Sequence, residues 1–142
     1  MRMNKVVTVS IFIFITSWAC SPKAESSTES ANETDTEEWK GMDDFHVLMA
    51  KSFHPYRDSA NVEPAKQLAS EMITSANSWM KEKLPTRVDN DKVRQLLKEL
   101  QEESQALADL VEVGDDQTIG ESLTSLHDTF HLLQESWYKK NN

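Results

Sequence analysis

The sequence predicts an all-α protein, an antiparallel up-down-up-down four-helix bundle that follows a signal peptide and a disordered tether. From Glu37 onward, apolar residues recur at steps of three and four, which is the period of a helix with one buried face. The 142 residues include only three Gly and four Pro, which are too few for a turn-rich β fold. A chain of this length is expected to form one domain at most.

The charge and cysteine content exclude several classes of function. The net charge is −9, from 15 Lys and Arg against 24 Asp and Glu. Nucleic acid is therefore not an expected partner, because its phosphates require a basic face. The single Cys excludes a disulfide framework, a CxxCH haem attachment and a zinc site built from several cysteines.

Residues 1–19 are predicted to be a secretory signal peptide. Arg2 and Lys5 form a charged start, residues 6–18 are apolar or small, and the small Ala19 precedes Cys20. The apolar stretch is too short for a comfortable membrane-spanning helix.

The position of the single Cys resembles the lipobox of bacterial lipoproteins, because Cys20 directly follows Ala19. This resemblance implies that Cys20 is the lipidated first residue of the mature chain. The lipid would anchor the protein to a membrane of the cell envelope, with the bundle at the outer membrane, in the periplasm or on the cell surface. Ordinary cleavage after Ala19, which would release a soluble protein, is the alternative. Residues 20–36 then comprise the lipidated Cys and an acidic tether, in which residues 21–36 have no large apolar side chain to offset the entropy of ordering.

The remaining residues, 37–142, form the predicted bundle domain. The helical spacing of apolar residues covers four segments, at about 37–54, 62–84, 91–112 and 117–139. Short connections between helices favour antiparallel neighbours, so we expect the first and fourth helices to be adjacent.

Local signals mark the ends of these segments. Pro55 and Pro85 are expected to end the first two helices at His54 and Leu84, because the residue before a proline is disfavoured in the α region. Gly114 suits the residue just after the third helix. Candidate N-caps precede the last two helices: Asp89 or Asn90 for the third, and Asp115, Asp116 or Thr118 for the fourth.

All four histidines lie in the first and fourth predicted helices, at positions 46, 54, 127 and 131. His127 and His131 are four residues apart, so they project from one helix face a turn apart and can chelate one ion. Met42 and His46 have the same spacing on the first helix. We therefore expect a metal site formed by His46, His127, His131 and Met42. His54 is eight residues from His46, roughly 12 Å along a helix, and is expected to lie at the helix end, too far away to share that site comfortably. It could form a second, weaker ligand site.

A set of imidazoles with a thioether suits copper best, with zinc or nickel also possible, and Asp43 and Asp128 could orient the imidazole rings. The alternative is that the histidines are hydrogen-bonded core or seam residues and that Met42 fills the core. In that case the protein is a cofactor-free interaction module with a protein partner in the envelope. The sequence leaves its oligomeric state open.

A haem is a further possibility. Met42 on the first helix and His131 or His127 on the last resemble the ligands of four-helix b-type cytochromes, and this resemblance would imply a haem b electron carrier. No GxSxG, HExxH, Gly-rich phosphate loop or pair of ExxH motifs is present in the sequence. We therefore expect no enzyme.

Overall fold

The computed structural model describes residues 38–139, which are all-helical in their regular structure and form a four-helix bundle. Four α-helices and one turn of 3-10 helix make up this part of the chain: α1 (Lys40–Ser59), α2 (Glu63–Trp79), the 3-10 turn (Thr86–Val88), α3 (Asp91–Leu110) and α4 (Asp116–Tyr138). None of these helices is long and apolar enough to cross a membrane. The predicted signal peptide, Cys20 and the tether lie outside the described residues.

The helices form a closed ring around one apolar core. Each helix contacts the next along the chain, and α1 also contacts α4, although this last pair packs less closely than the others. Large side chains from all four helices are fully buried in the core, including Phe45, Trp79, Leu100 and Phe130. Burial of these apolar stripes is the main force that holds the bundle together.

One end of the core is aromatic. The ring centroids of Trp39 and Trp79 are 5.1 Å apart, and those of Trp39 and Trp137 are 5.6 Å apart. The guanidinium of Arg87 lies 4.4 Å from the Trp137 ring centroid and closes this end with a cation–π contact. These three tryptophans come from different elements: Trp39 directly precedes α1, Trp79 ends α2 and Trp137 lies near the end of α4. Their rings therefore pack these elements together at one end of the bundle.

The starts of α3 and α4 carry side-chain caps at two of the predicted positions. The backbone N–H of Val93 donates to Asn90 Oδ1 at 3.1 Å, and the backbone N–H of Thr118 donates to Asp115 Oδ1 at 2.8 Å. Each cap satisfies a backbone donor that has no partner within its helix. Gly114 differs from the expectation, because no glycine among residues 38–139 has a positive φ.

Helix α1 is longer than predicted. It passes through Pro55 and ends only at Ser59, where Ala60 adopts the left-handed conformation with φ of 54°. A proline inside a helix removes one backbone hydrogen bond. The rest of the last turn remains bonded, with Ser59 Oγ donating to the carbonyl of Pro55 at 2.9 Å and the Ala60 N–H donating to the carbonyl of Tyr56 at 2.7 Å. Helix α2 shows the opposite difference and ends at Trp79, five residues before the predicted end.

Candidate functional site

A cavity of about 300 Å³ lies between α1 and α4, the pair of neighbouring helices that packs least closely. We call it the histidine cleft, because all four histidines line it. Its other lining residues are Met49, Ala50, Phe53, Arg57, Phe130 and Gln134. The structure thus brings together three of the four predicted metal ligands, His46, His127 and His131.

His127 and His131 form the tightest pair in the cleft. Their Nε2 atoms are 3.0 Å apart, and their rings meet at 73°. At this distance one ring nitrogen donates a hydrogen and the other accepts it, so the two imidazoles are in different protonation states or tautomers at these atoms. The predicted i, i+4 geometry is therefore present in the structure.

Packing fixes the ring of His127. It stacks on Phe53 of α1 with centroids 3.6 Å apart and planes 13° from parallel, and its side chain is 22% exposed. Asp128 Oδ1 lies 3.6 Å from His127 Nδ1, which is close enough for electrostatic attraction but longer than a hydrogen bond. His127 Nδ1 is buried and has no hydrogen-bond partner among the described residues.

This environment favours neutral His127. Burial lowers the pKa of His127 below its ordinary value of 6.5, and the positive charge of a protonated His131 lowers it further, while Asp128 opposes the shift. A neutral imidazole is the form that binds a metal ion.

The two histidines of α1 are exposed and lie at the same cleft. The ring of His46 stacks on Phe130 of α4, with centroids 5.6 Å apart and planes 24° from parallel. His54 lines the cavity together with His127, although its distance from His46 predicted a helix-end position away from the main site. The difference follows from the continuation of α1 through Pro55, which moves His54 from the helix end into the last turns facing α4.

Met42 does not line the histidine cleft. It is only 2% exposed and belongs to the apolar core. The methionine at the cleft is Met49, which lies two turns further along α1 and is 1% exposed. Met42 and His131 therefore have different surroundings, the core and the exposed cleft, and haem ligation by this pair stays a prediction.

The histidine cleft does not hold a complete metal-binding set in this conformation. Among residues 38–139, no three His, Cys, Asp or Glu side chains are close enough together to hold a metal ion. The cleft does contain one pair of adjacent imidazole nitrogens, with two further imidazoles across the cavity. A third protein ligand would require a side-chain rotation of His46 or His54.

Comparison of the chain with protein-family models, with curated proteins and with solved structures finds no match.

Proposed function

We propose that this protein is an envelope lipoprotein whose four-helix bundle binds a transition-metal ion in the histidine cleft. The observation that carries the proposal is the 3.0 Å separation of the Nε2 atoms of His127 and His131 in a cavity lined by all four histidines. Storage, buffering or sensing of the ion are the roles that such a site would serve.

The spacing of the pair suits a single ion. Zinc binds imidazole nitrogen at about 2.0–2.1 Å, so two ligand atoms are about 2.9 Å apart at a right angle and about 3.3 Å apart at the tetrahedral angle. The observed 3.0 Å lies between these values. Binding would need both Nε2 lone pairs, so both rings would carry their hydrogen on Nδ1. For His127 that hydrogen would point towards Asp128, which supports an orienting role for this carboxylate.

The ligand set of the proposed site extends to α1. His46 or His54 is the proposed third ligand, since both imidazoles line the cleft and are exposed, although the ring of His46 would have to leave its stack on Phe130. Met42 is the least supported of the predicted ligands, because it is buried in the core. Imidazole ligands suit copper, zinc and nickel, and copper remains the first choice only if a thioether takes part.

The antiparallel up-down-up-down order is part of the same proposal. Two contacts between α1 and α4 support it: His46 stacks on Phe130, whereas Phe53, further along α1, stacks on His127, earlier in α4. The positions that meet thus run in opposite directions along the two helices. This order is what would place both histidine pairs at one cleft.

The metal proposal is tested by titrating Cu(II), Zn(II) and Ni(II) separately into the untagged protein while its melting temperature is followed. An ion present at a hundred times its Kd stabilises the folded protein by about 2.7 kcal/mol. For a domain of about 100 residues this raises the melting temperature by roughly 10–20 °C. We expect the rise to be lost in the double variant His127→Gln, His131→Gln.

The matched control is Glu121→Gln, an exposed position on the same helix. This variant removes one carboxylate of an acidic surface that could attract cations non-specifically, and it should keep the full thermal shift. A melting temperature that none of the three ions changes would contradict the metal proposal and favour the cofactor-free interaction module. An absorption band in the Soret region after addition of haemin would favour the haem b alternative.

The proposed lipid anchor is tested separately, through Cys20. The wild-type protein should fractionate with membranes in a bacterial host, and Cys20→Ala should release it. Recovery of the wild-type protein in the soluble periplasmic fraction would contradict lipidation and support ordinary cleavage after Ala19.

A further inference from the structure

The histidine cleft is larger than a metal ion and its first water ligands require. Its volume is about 300 Å³, which is at the lower end of the range for small-molecule sites and corresponds to about ten water molecules at 30 Å³ each. The cavity is also open to solvent along the exposed sides of His46, His54 and His131. A second molecule can therefore occupy it together with an ion.

The ion would need such a second molecule to complete its coordination. His127 and His131 supply two adjacent nitrogen ligands, and a rotated His46 or His54 would add a third, but no group of three His, Cys, Asp or Glu is already assembled among the described residues. Nickel and copper favour four to six ligands, so positions on a bound ion would remain for an exogenous chelator.

The polar lining of the cleft selects the charge of that chelator. Arg57 and Gln134 line the cavity beside the four imidazoles, whereas no Asp or Glu is among its lining residues. This lining contrasts with the net charge of −9 for the whole chain. Asp58, which pairs with Arg57, lies outside the lining, so the donors that the cavity itself offers to an anionic guest are the remaining N–H groups of Arg57 and the amide of Gln134.

Arg57 can reach such a guest with its outer edge. Its Nε donates to Asp58 Oδ1 at 2.8 Å, and this contact uses only one edge of the guanidinium, so N–H groups of the terminal amino groups are left for a further acceptor. The planar guanidinium matches a carboxylate with two parallel hydrogen bonds, which a lysine cannot do.

We infer that the histidine cleft takes its metal ion as a complex with a small carboxylate chelator, such as an amino-acid or iminodiacetate-type ligand. His127 and His131 coordinate the ion, and Arg57 binds a carboxylate of the chelator. This inference rests on the proposed metal-binding function. It names the form in which the ion is bound and assigns Arg57 to recognition of the chelator.

Two nickel complexes distinguish carboxylate recognition from metal binding. Iminodiacetate and diethylenetriamine each occupy three positions on Ni(II) and leave the others for protein ligands, but only iminodiacetate carries carboxylates. The affinity of the protein for each preformed complex is measured by calorimetry. We expect Arg57→Gln to weaken binding of the iminodiacetate complex about fivefold to tenfold, since a charge-assisted hydrogen bond at an exposed site is lost. Binding of the diethylenetriamine complex should change by less than about twofold.

Two further variants separate the guanidinium from charge in general. Arg94 is an exposed residue of α3 that does not line the cleft. Arg94→Gln removes the same charge as Arg57→Gln and should leave the affinities for both complexes unchanged. Arg57→Lys keeps the charge but not the paired donors, and should retain only part of the preference for the carboxylate complex.

The outcomes separate the inference from the function on which it rests. Equal effects of Arg57→Gln on the two complexes, or no effect on either, would overturn carboxylate recognition while leaving metal binding in place. Undiminished binding of both complexes by the double variant His127→Gln, His131→Gln would overturn the metal site itself, and the inference with it.

Discussion

Substitution of Gly41 by Ala gives a sharp test of the packing at the aromatic end of the bundle. Gly41 is buried in the first turn of α1, against α2. A Cβ at this position would lie well under 3.0 Å from Trp79 Cγ and Cδ1, and 2.8 Å from Glu82 Oε2. Real Cβ atoms essentially never make such close contacts, so something must move.

The Trp79 ring has little freedom to move. It is fully buried, and its centroid lies 5.1 Å from that of Trp39 and 5.9 Å from that of Phe45. Overpacking of such a site costs about 1–3 kcal/mol. The higher helix propensity of Ala recovers at most about 0.5–1 kcal/mol. We expect a net loss of about 1–2 kcal/mol in the free energy of unfolding and a melting temperature lower by roughly 5–15 °C.

The assay is urea unfolding followed by circular dichroism, with Gly120→Ala as the matched control. A Cβ on Gly120 would meet the far end of the Tyr56 ring, with Oη at 2.6 Å, and this ring is only half-buried. Tyr56 can swing towards solvent, and the gain in helix propensity offsets part of the cost, so Gly120→Ala should lose less stability. Wild-type stability in Gly41→Ala, or a larger loss in Gly120→Ala, would refute the argument that the immobility of Trp79 sets the cost.

Three further predictions concern stability and are measured by denaturant unfolding. Ala60→Gly should stabilise the protein by about 1 kcal/mol, because the φ of 54° at Ala60 costs a residue with a Cβ roughly 1–2 kcal/mol and glycine almost nothing. An unchanged unfolding midpoint would contradict this prediction. Leu100→Ala should lower the free energy of unfolding by about 2–5 kcal/mol, since Leu100 is fully buried. Its control, Leu132→Ala, changes a side chain that is 44% exposed and should cost less than about 0.5 kcal/mol. Similar losses in the two variants would be evidence against the assigned core. The third prediction concerns His127, whose pKa is lowered in the folded protein. As the pH falls below about 6.5, this imidazole takes up a proton in the unfolded chain before it does so in the folded chain, and this difference favours unfolding. The contribution of neutral His127 to the free energy of unfolding is therefore complete above pH 6.5 and is lost as the pH falls through the lowered pKa. His127→Gln should reduce this dependence, and an unaltered pH profile in that variant would contradict it.

The sequence by itself determined the helical class of the protein and the approximate positions of its helices, because these depend on local patterns. The spacing of apolar residues predicted four helices, and the structure confirms four in the same order. The caps Asn90 and Asp115 were among the predicted candidates for the same reason, since a cap needs only a short polar side chain beside the first turn. The i, i+4 relation of His127 and His131 also follows from helix geometry alone, and the structure places their nitrogen atoms 3.0 Å apart.

Tertiary structure decided which residues from different helices meet at the cleft. The prediction ended α1 at His54, whereas α1 continues to Ser59 and His46 stacks on Phe130 of α4. The local preference for ending a helix before Pro55 is overridden in the structure, where Phe53 and Tyr56 of the last turns of α1 pack against the apolar core. A contact of this kind depends on the other helices and cannot be found in a short stretch of sequence. His54 and Arg57, in the last turns of the longer α1, line the histidine cleft, whereas Met42 lies in the apolar core away from it. Ligands on one helix could thus be predicted from spacing, while the partners across the cleft depend on how two helices pack.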